Sequence, residues 1–282
     1  GLAGCPPRFF GEEGGGVGRP PWLLLGRLPP ADRIRLPPAL PDRAPPMTER
    51  LWYIKSCELF RRLSTAQLAA LEARSRTRAF ARGSTIYLPQ DLADGVLLLA
   101  EGRAKIGSYS AEGKQTILAF IDPGEVFGEL ALMGGEQREE FAEAIEKSLI
   151  VAIPRDLMVQ LVEENPALSL GVAKLFGMRR LRIERRLKYL LFRSNRDRLI
   201  HLVLELAERY GRQTDAGVEL KIKLSHQDLA SVIGSTRETV TVLLGELQNE
   251  GLIQLGRRRL TILDLEKLAG CVESTAPQLS PF

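Results

Sequence analysis

Between Thr77 and Ile153 the apolar positions fall in short runs, such as Val96-Leu97-Leu98-Leu99 and Thr116-Ile117-Leu118-Ala119-Phe120-Ile121. Turn residues punctuate them: Arg82-Gly83-Ser84, Ala93-Asp94-Gly95, Glu101-Gly102, Ala111-Glu112-Gly113 and Asp122-Pro123-Gly124. Short strands at that spacing predict an antiparallel β-roll or barrel. A small helix from Thr65 to Ala73 precedes it, with Ser64 and Gln67 in a capping-box pattern. After Asn165-Pro166 the period becomes that of a long helix. Phe176, Ile183 and Leu190 recur every seven residues, with Val172 four before the first and Leu187 four after the second. This seam, interrupted by Arg179 and Arg186, fits either a helix–helix interface or the buried face of a helix within one domain. Arg193-Ser194-Asn195-Arg196 breaks the pattern and forms a natural hinge before a helix bearing Leu199, Leu202, Val203, Leu206 and Tyr210.

From Leu224 to Leu247 two short helical patterns meet at Gly234. Ser225 and Asp228 form a capping-box pair for the first, whose apolar face is Leu229, Val232 and Ile233. Gly234 supplies a tight turn and Ala230 is small enough for a close crossing. Thr236 caps the second helix, which buries Val240, Leu243, Leu244 and Leu247 and leaves Ser235, Arg237, Glu238 and Thr241 on its outer N-terminal face. An Arg guanidinium can donate two parallel hydrogen bonds to guanine O6 and N7, and a Glu carboxylate can accept from cytosine N4. The face therefore suits a G·C step in a major groove. On a solvated helix the same pair would be ordinary first-turn charges, with the Glu favourable toward the helix dipole. The flanking pattern decides between the two. Val218 to Leu224 alternates with period two, as a half-buried strand does. Gly251 to Leu255 and Leu260 to Leu263 then read as a β-hairpin whose tip holds Gly256, Arg257, Arg258 and Arg259. That is a basic wing, placed to touch phosphates.

These residues resemble transcription regulators of the Crp/Fnr superfamily, of the catabolite-activator type. The likeness runs from about Ser56 to Ala269. It rests on Gly102, Gly113, Gly124 and Gly128, on GELAL at Gly128 to Leu132, on the long helix after Asn165-Pro166, and on IGSTRETV at Ile233 to Val240. It implies an α+β architecture: an N-terminal antiparallel β-roll of the cyclic-nucleotide-binding kind over 47–165, a long central dimerisation helix and hinge over 166–195, a C-terminal winged helix-turn-helix over 196–269, and a disordered tail over 270–282. It also implies a cytoplasmic regulator that binds palindromic double-stranded promoter DNA as a parallel homodimer, with RNA polymerase as a partner. Val172, Phe176, Ile183, Leu187 and Leu190 then form the dimer interface. The family's recognition helix commonly presents an Arg-Glu pair and a further basic residue one turn later. Arg237 and Glu238 match the pair, but Val242 stands where the third reader would be, so the operator preference of the best-known members does not carry over.

The same likeness places an effector pocket at Gly128, Glu129, Arg138, Glu139 and Ile183. Arg138 falls on the arginine that holds the cyclic phosphate in cyclic-nucleotide-binding relatives. Glu139 follows where Ser or Thr is expected, and Glu140 comes next. Two carboxylates repel a phosphate and supply no hydroxyl donor, which disfavours cAMP and lets Arg138 pair with its acidic neighbours. Ile183 and Glu184 stand near the adenine-contacting positions, and neither is the expected hydroxyl residue. The roll is read as sensing another effector or as purely structural, with a cyclic-nucleotide-responsive regulator as the alternative.

Composition adds constraints. The first 46 residues hold eleven of the seventeen prolines and are expected to be disordered, with translation expected to start at Met47. Their apolar run Trp22-Leu23-Leu24-Leu25 is too short for a signal-peptide core, and no stretch approaches a membrane span. Cys5, Cys57 and Cys271 lie far apart with no metal-ligand spacing, so neither a disulfide framework nor an iron–sulfur cluster is expected. Cys57 reads as a small, partly buried residue before a helix rather than a redox switch. His201 and His226 both lie outside the roll, which disfavours haem and a cupin-type metalloenzyme and leaves a non-enzyme. A stand-alone small-molecule sensor explains neither the Arg-Glu face nor the wing.

The net charge of +4 is weak support for DNA binding, because residues 196–269 hold eleven basic and eleven acidic residues. The excess sits on the long helix, where Lys174, Arg179, Arg180, Arg182, Arg185, Arg186, Lys188 and Arg193 face only Glu184. The DNA argument rests instead on Arg237 and on Arg257 to Arg259.

Overall fold

A computed structural model describes residues 47–257 and 259–279. The expectations placed on residues 1–46, on Arg258 and on residues 280–282 lie outside the described residues. The described chain opens with α1 (Met47–Ser56), a short 3-10 turn (Glu58–Phe60) and α2 (Thr65–Arg74). The box expected at Ser64 forms: its hydroxyl accepts from Gln67 N, and the Gln67 side chain accepts from Ser64 N.

Two four-stranded antiparallel sheets make the roll. One runs in the order β1 (Arg76–Phe80), β8 (Ser148–Pro154), β3 (Gly95–Glu101), β6 (Val126–Phe127). The other runs β2 (Thr85–Tyr87), β7 (Phe141–Ala144), β4 (Ala104–Tyr109), β5 (Gln115–Ile121). Alternate residues of a strand serve different cores. Leu99, Ile106, Ile121, Phe127 and Ile150 fill the roll interior. Val96, Leu98, Val151 and Ile153 face the other way, onto α1, α2 and the helices that follow the roll. A strand covered on both faces reads as a continuous apolar run, which is why Val96 to Leu99 does not alternate.

The chain continues through α3 (Arg155–Glu164) into α4 (Pro166–Phe192), whose 27 residues span about 40 Å at 1.5 Å per residue. Asn165 caps α4 by accepting from Ala167 N and Leu168 N, and Pro166 occupies the first turn, where a missing N–H costs nothing. The hinge is shorter than expected. Arg193 and Ser194 are extended, and Ser194 already caps α5 (Asn195–Tyr210) in a box with Asp197.

The C-terminal part packs α5, α6 (His226–Ile233), α7 (Arg237–Asn249) and α8 (Leu265–Gly270) against a sheet ordered β11 (Ile253–Gly256), β12 (Arg259–Ile262), β10 (Gly217–Leu220), β9 (Gly211–Thr214). Two expectations are corrected here. The strand read from Val218 to Leu224 ends at Leu220, because its partner β9 begins at Gly211, opposite Leu220, directly after α5. Ile222 keeps the burial alternation without a ladder. The tail expected to be disordered from residue 270 is ordered to Leu279: Val272 is buried, and Ala276 and Leu279 pack on the same core as Leu199 and Leu229.

Candidate nucleic-acid interface and sensor site

The turn between α6 and α7 forms as its residues dictate. Gly234 adopts φ +67°, where a Cβ would be strained, and Ser235 N donates to Ala230 O at 3.0 Å. Ser225 and Asp228 make the reciprocal box at the start of α6, and Thr236 caps α7 by accepting from Thr239 N. Val240, Leu244 and Leu247 are fully buried and Leu243 packs beside them. Arg237, Glu238 and Thr241 are exposed, while Ser235 is half-buried. The Arg237 and Glu238 side chains form no hydrogen bond or ion pair among the described residues. Thr241 differs from them. Its hydroxyl donates to Arg237 O at 2.8 Å and lies 2.9 Å from His226 Nδ1, so with its one proton committed, His226 Nδ1 must carry the proton and donate.

The wing pairs β11 with β12 up to Gly256 and Arg259, which leaves Arg257 at the tip. Arg257 is exposed there. Arg259 is also exposed but sits 3.6 Å from Glu219 on the neighbouring strand, so Arg257 is the less encumbered cation of the two.

In the roll, Gly128, Glu129 and Arg138 do come together, with a filled interior. Arg138 is buried and donates to Gly128 O at 2.7 Å and Gly95 O at 2.6 Å, with its guanidinium over the Tyr87 ring. Gly128 has φ +67°, and a Cβ there would come within 2.6 Å of the arginine, so glycine is required by both backbone and space. Glu129, also buried, pairs with Arg179 of α4, which further donates to Val126 O at 2.6 Å. One expectation fails. Glu139 points to solvent, and the buried carboxylate beside Arg138 is Glu140, which accepts from Tyr87 Oη at 2.7 Å. Burial pushes the Glu140 carboxyl up, reinforced by the nearby Glu129. Ile183 stays 47% exposed on α4, and the α4 residue that reaches Glu129 is Arg179. The predicted seam divides in the same way. Val172 is buried in the protomer's own core and Phe176 packs on it, whereas Ile183, Leu187 and Leu190 remain more open. Cys57 is buried, and burial pushes its thiol up to about 12, which suppresses the reactive thiolate.

A contact that the sequence reading missed joins the roll to the DNA-binding part. Asp122 accepts from Arg103 Nε at 2.6 Å and Tyr210 Oη at 2.9 Å, and Arg209 reaches it at 2.6 Å and Glu125 at 2.8 Å. Lys105 of β4 donates at 2.7 Å to Asp228, the carboxylate of the α6 capping box. Arg186 of α4 donates to the carbonyls of Ile117 and Leu118. Ile117, Phe120 and Ile145 of the roll share the core of α5 and α6.

A winged helix-turn-helix, joined through a long helix to an antiparallel roll, defines a DNA-binding transcription regulator. The models for the Crp-like helix-turn-helix domain and the cyclic nucleotide-binding domain match residues 197–271 and 77–165. The global nitrogen regulator of Synechococcus elongatus is 31% identical over 208 residues, covering 73% of this chain and 91% of that protein. The CRP-like cAMP-activated global transcriptional regulator of Mycobacterium tuberculosis is 26% identical, covering 75% and 94%. A solved CRP-family transcriptional regulator from Thermus thermophilus superposes with TM-score 0.61 at 28% identity, covering 71% of this chain and 98% of that one. The chain belongs to the Crp/Fnr family of transcriptional regulators. No helix among the described residues is long and apolar enough to cross a membrane.

Proposed function

We propose that the protein binds palindromic promoter DNA as a parallel homodimer, in the cytoplasm and in contact with RNA polymerase. Arg237 and Glu238 read base edges while Arg257 to Arg259 hold phosphates. The observation that carries this reading is the free Arg237–Glu238 pair in the first turn of a helix whose opposite face is fully buried. Selection of sites from random DNA, followed by a band shift of the recovered palindrome across a salt series, tests it. Recovery of no consensus would overturn it.

The C-terminal half of α4 supports dimerisation, since Ile183, Leu187 and Phe192 are 47%, 53% and 80% exposed in one protomer. Replacing Ile183 with lysine sets a charge on that surface and removes apolar burial worth about 1.5 kcal/mol, so the dimer weakens about tenfold. Operator affinity falls with it. Sedimentation equilibrium checks this; an unchanged concentration dependence would assign the seam to another face.

The roll then acts through the arrangement of the two recognition helices, which an effector shifts if one binds. The reading includes neither iron–sulfur cluster nor haem, because the chain has three scattered cysteines and no histidine in the roll. A cAMP-responsive regulator, the reading that the mycobacterial relative's name suggests, is disfavoured. A cyclic phosphate would have to draw Arg138 off two backbone carbonyls and accept Glu140 as a neighbour. Isothermal calorimetry is expected to give no cAMP binding at micromolar concentration, and micromolar binding would return the pocket to the nucleotide.

A further inference from the structure

We infer that Val242 reads the 5-methyl group of a thymine in the major groove. The inference rests on the proposed DNA-binding face and assigns it a second kind of contact. Val240, Leu244 and Leu247 define the buried face of α7, and at 100° per residue the opposite pole runs through Glu238, Val242, Gly245 and Asn249. Val242 therefore stands one turn beyond Glu238 on the outermost strip of the recognition helix, 60% exposed.

Nothing among the described residues accounts for Val242 and Gly245 on that strip. A solvated helix position is best filled by an unbranched helix former, yet Val242 is β-branched and Gly245 is the least favourable residue short of proline. A Cβ added at Gly245 would meet nothing within 4 Å, so no packing among the described residues demands glycine. A surface that approaches the α7 backbone from outside does demand it. Gly245 lets a groove wall come close, and Val242 is then pressed toward the floor of the groove. A valine offers neither donor nor acceptor, and the apolar group that a base pair presents in the major groove is the thymine methyl. Four residues of helix rise by about 6 Å, so this thymine lies one or two base-pair steps from the position of Glu238.

The test uses the full-length protein and the palindrome recovered by selection, with each thymine of the half-site replaced in turn by deoxyuridine, which lacks only the methyl. At one position the wild type is expected to lose about fourfold in affinity per methyl removed, the worth of one buried carbon. Val242→Ala should bind the thymine and deoxyuridine forms of that position equally while keeping its sensitivity elsewhere. Alanine is the better helix former, so this variant keeps the helix. A wild type indifferent to every deoxyuridine, or a Val242→Ala protein with the same sensitivity as wild type, would overturn the inference and leave the DNA reading intact. Failure to recover any preferred site would overturn the DNA reading and this inference together.

Discussion

Replacing Asp122 with asparagine is expected to destabilise the protein by about 2 to 3 kcal/mol at neutral pH, a fall in melting temperature of roughly 4 to 12 °C. The change keeps the shape of the side chain and removes its charge from between Arg103 and Arg209. Breaking a buried pair typically costs about 3 to 5 kcal/mol, but Asp122 keeps 20% side-chain exposure and Glu125 and Glu146 stay beside the two guanidiniums, which brings the cost to the bottom of that range or just under it. The pH dependence has a fixed sign. Burial pushes the Asp122 carboxyl up, but Arg209 and Arg103 outweigh it and hold it below its ordinary value, and Lys105 and Ser225 do the same for Asp228. For a depressed carboxyl the stabilisation is complete above the unfolded value, near pH 4, and is lost as the pH falls through the lower folded value. The difference between wild type and Asp122→Asn should therefore be full at pH 7 and close below about pH 4. Melting curves over that range check it, and equal midpoints at pH 7 would mean that the two parts do not dock through Asp122 in solution.

How much of this was legible in the sequence depends on how local each signal is. The helix-turn-helix is built from contacts three to five residues apart, between Ser225 and Asp228, Ala230 and Ser235, and Thr236 and Thr239, so its caps, turn and faces could be read directly. The docking of the two parts could not. Asp122 meets Tyr210 across 88 residues and Lys105 meets Asp228 across 123, and no periodicity encodes such pairs. A trace was present in β5, where Thr116 to Ile121 runs without alternation because Ile117 and Phe120 face α5 and α6 while Ala119 and Ile121 face the roll.

On α4 the heptad stripe was visible but its meaning was divided. A straight helix turns such a stripe by only about 20° per heptad, so Ile183 and Leu187 stay close to the face of Phe176; Val172 and Phe176 pack on the protomer's own core, whereas Ile183 and Leu187, further along the helix, are exposed. Arg179 and Arg186, which looked like interruptions, are seven residues apart and both turn inward to carbonyls of the roll. The tail was missed because Val272, Ala276 and Leu279 are apolar at helical spacing, yet Pro277 stands among them and the segment packs on the core without forming a regular element.

Arg237→Ala is expected to cost about 1 to 3 kcal/mol on the selected site, up to a hundredfold or so in affinity, and to relax discrimination at one base pair of each half-site. The guanidinium is exposed and unpaired in the free protein, so its removal leaves the fold intact and the loss appears in DNA binding alone. Arg257→Ala should behave differently. A wing cation that meets phosphate weakens all sequences about equally and lowers the slope of log affinity against log salt by roughly one unit. Affinities for the selected and a scrambled duplex across a salt series separate the two roles. If Arg237→Ala weakens both duplexes by the same factor, Arg237 is a phosphate contact and base reading passes to Glu238. Thr241 is the poorer candidate for that role, because its hydroxyl proton is already given to the carbonyl of Arg237 and its oxygen to His226.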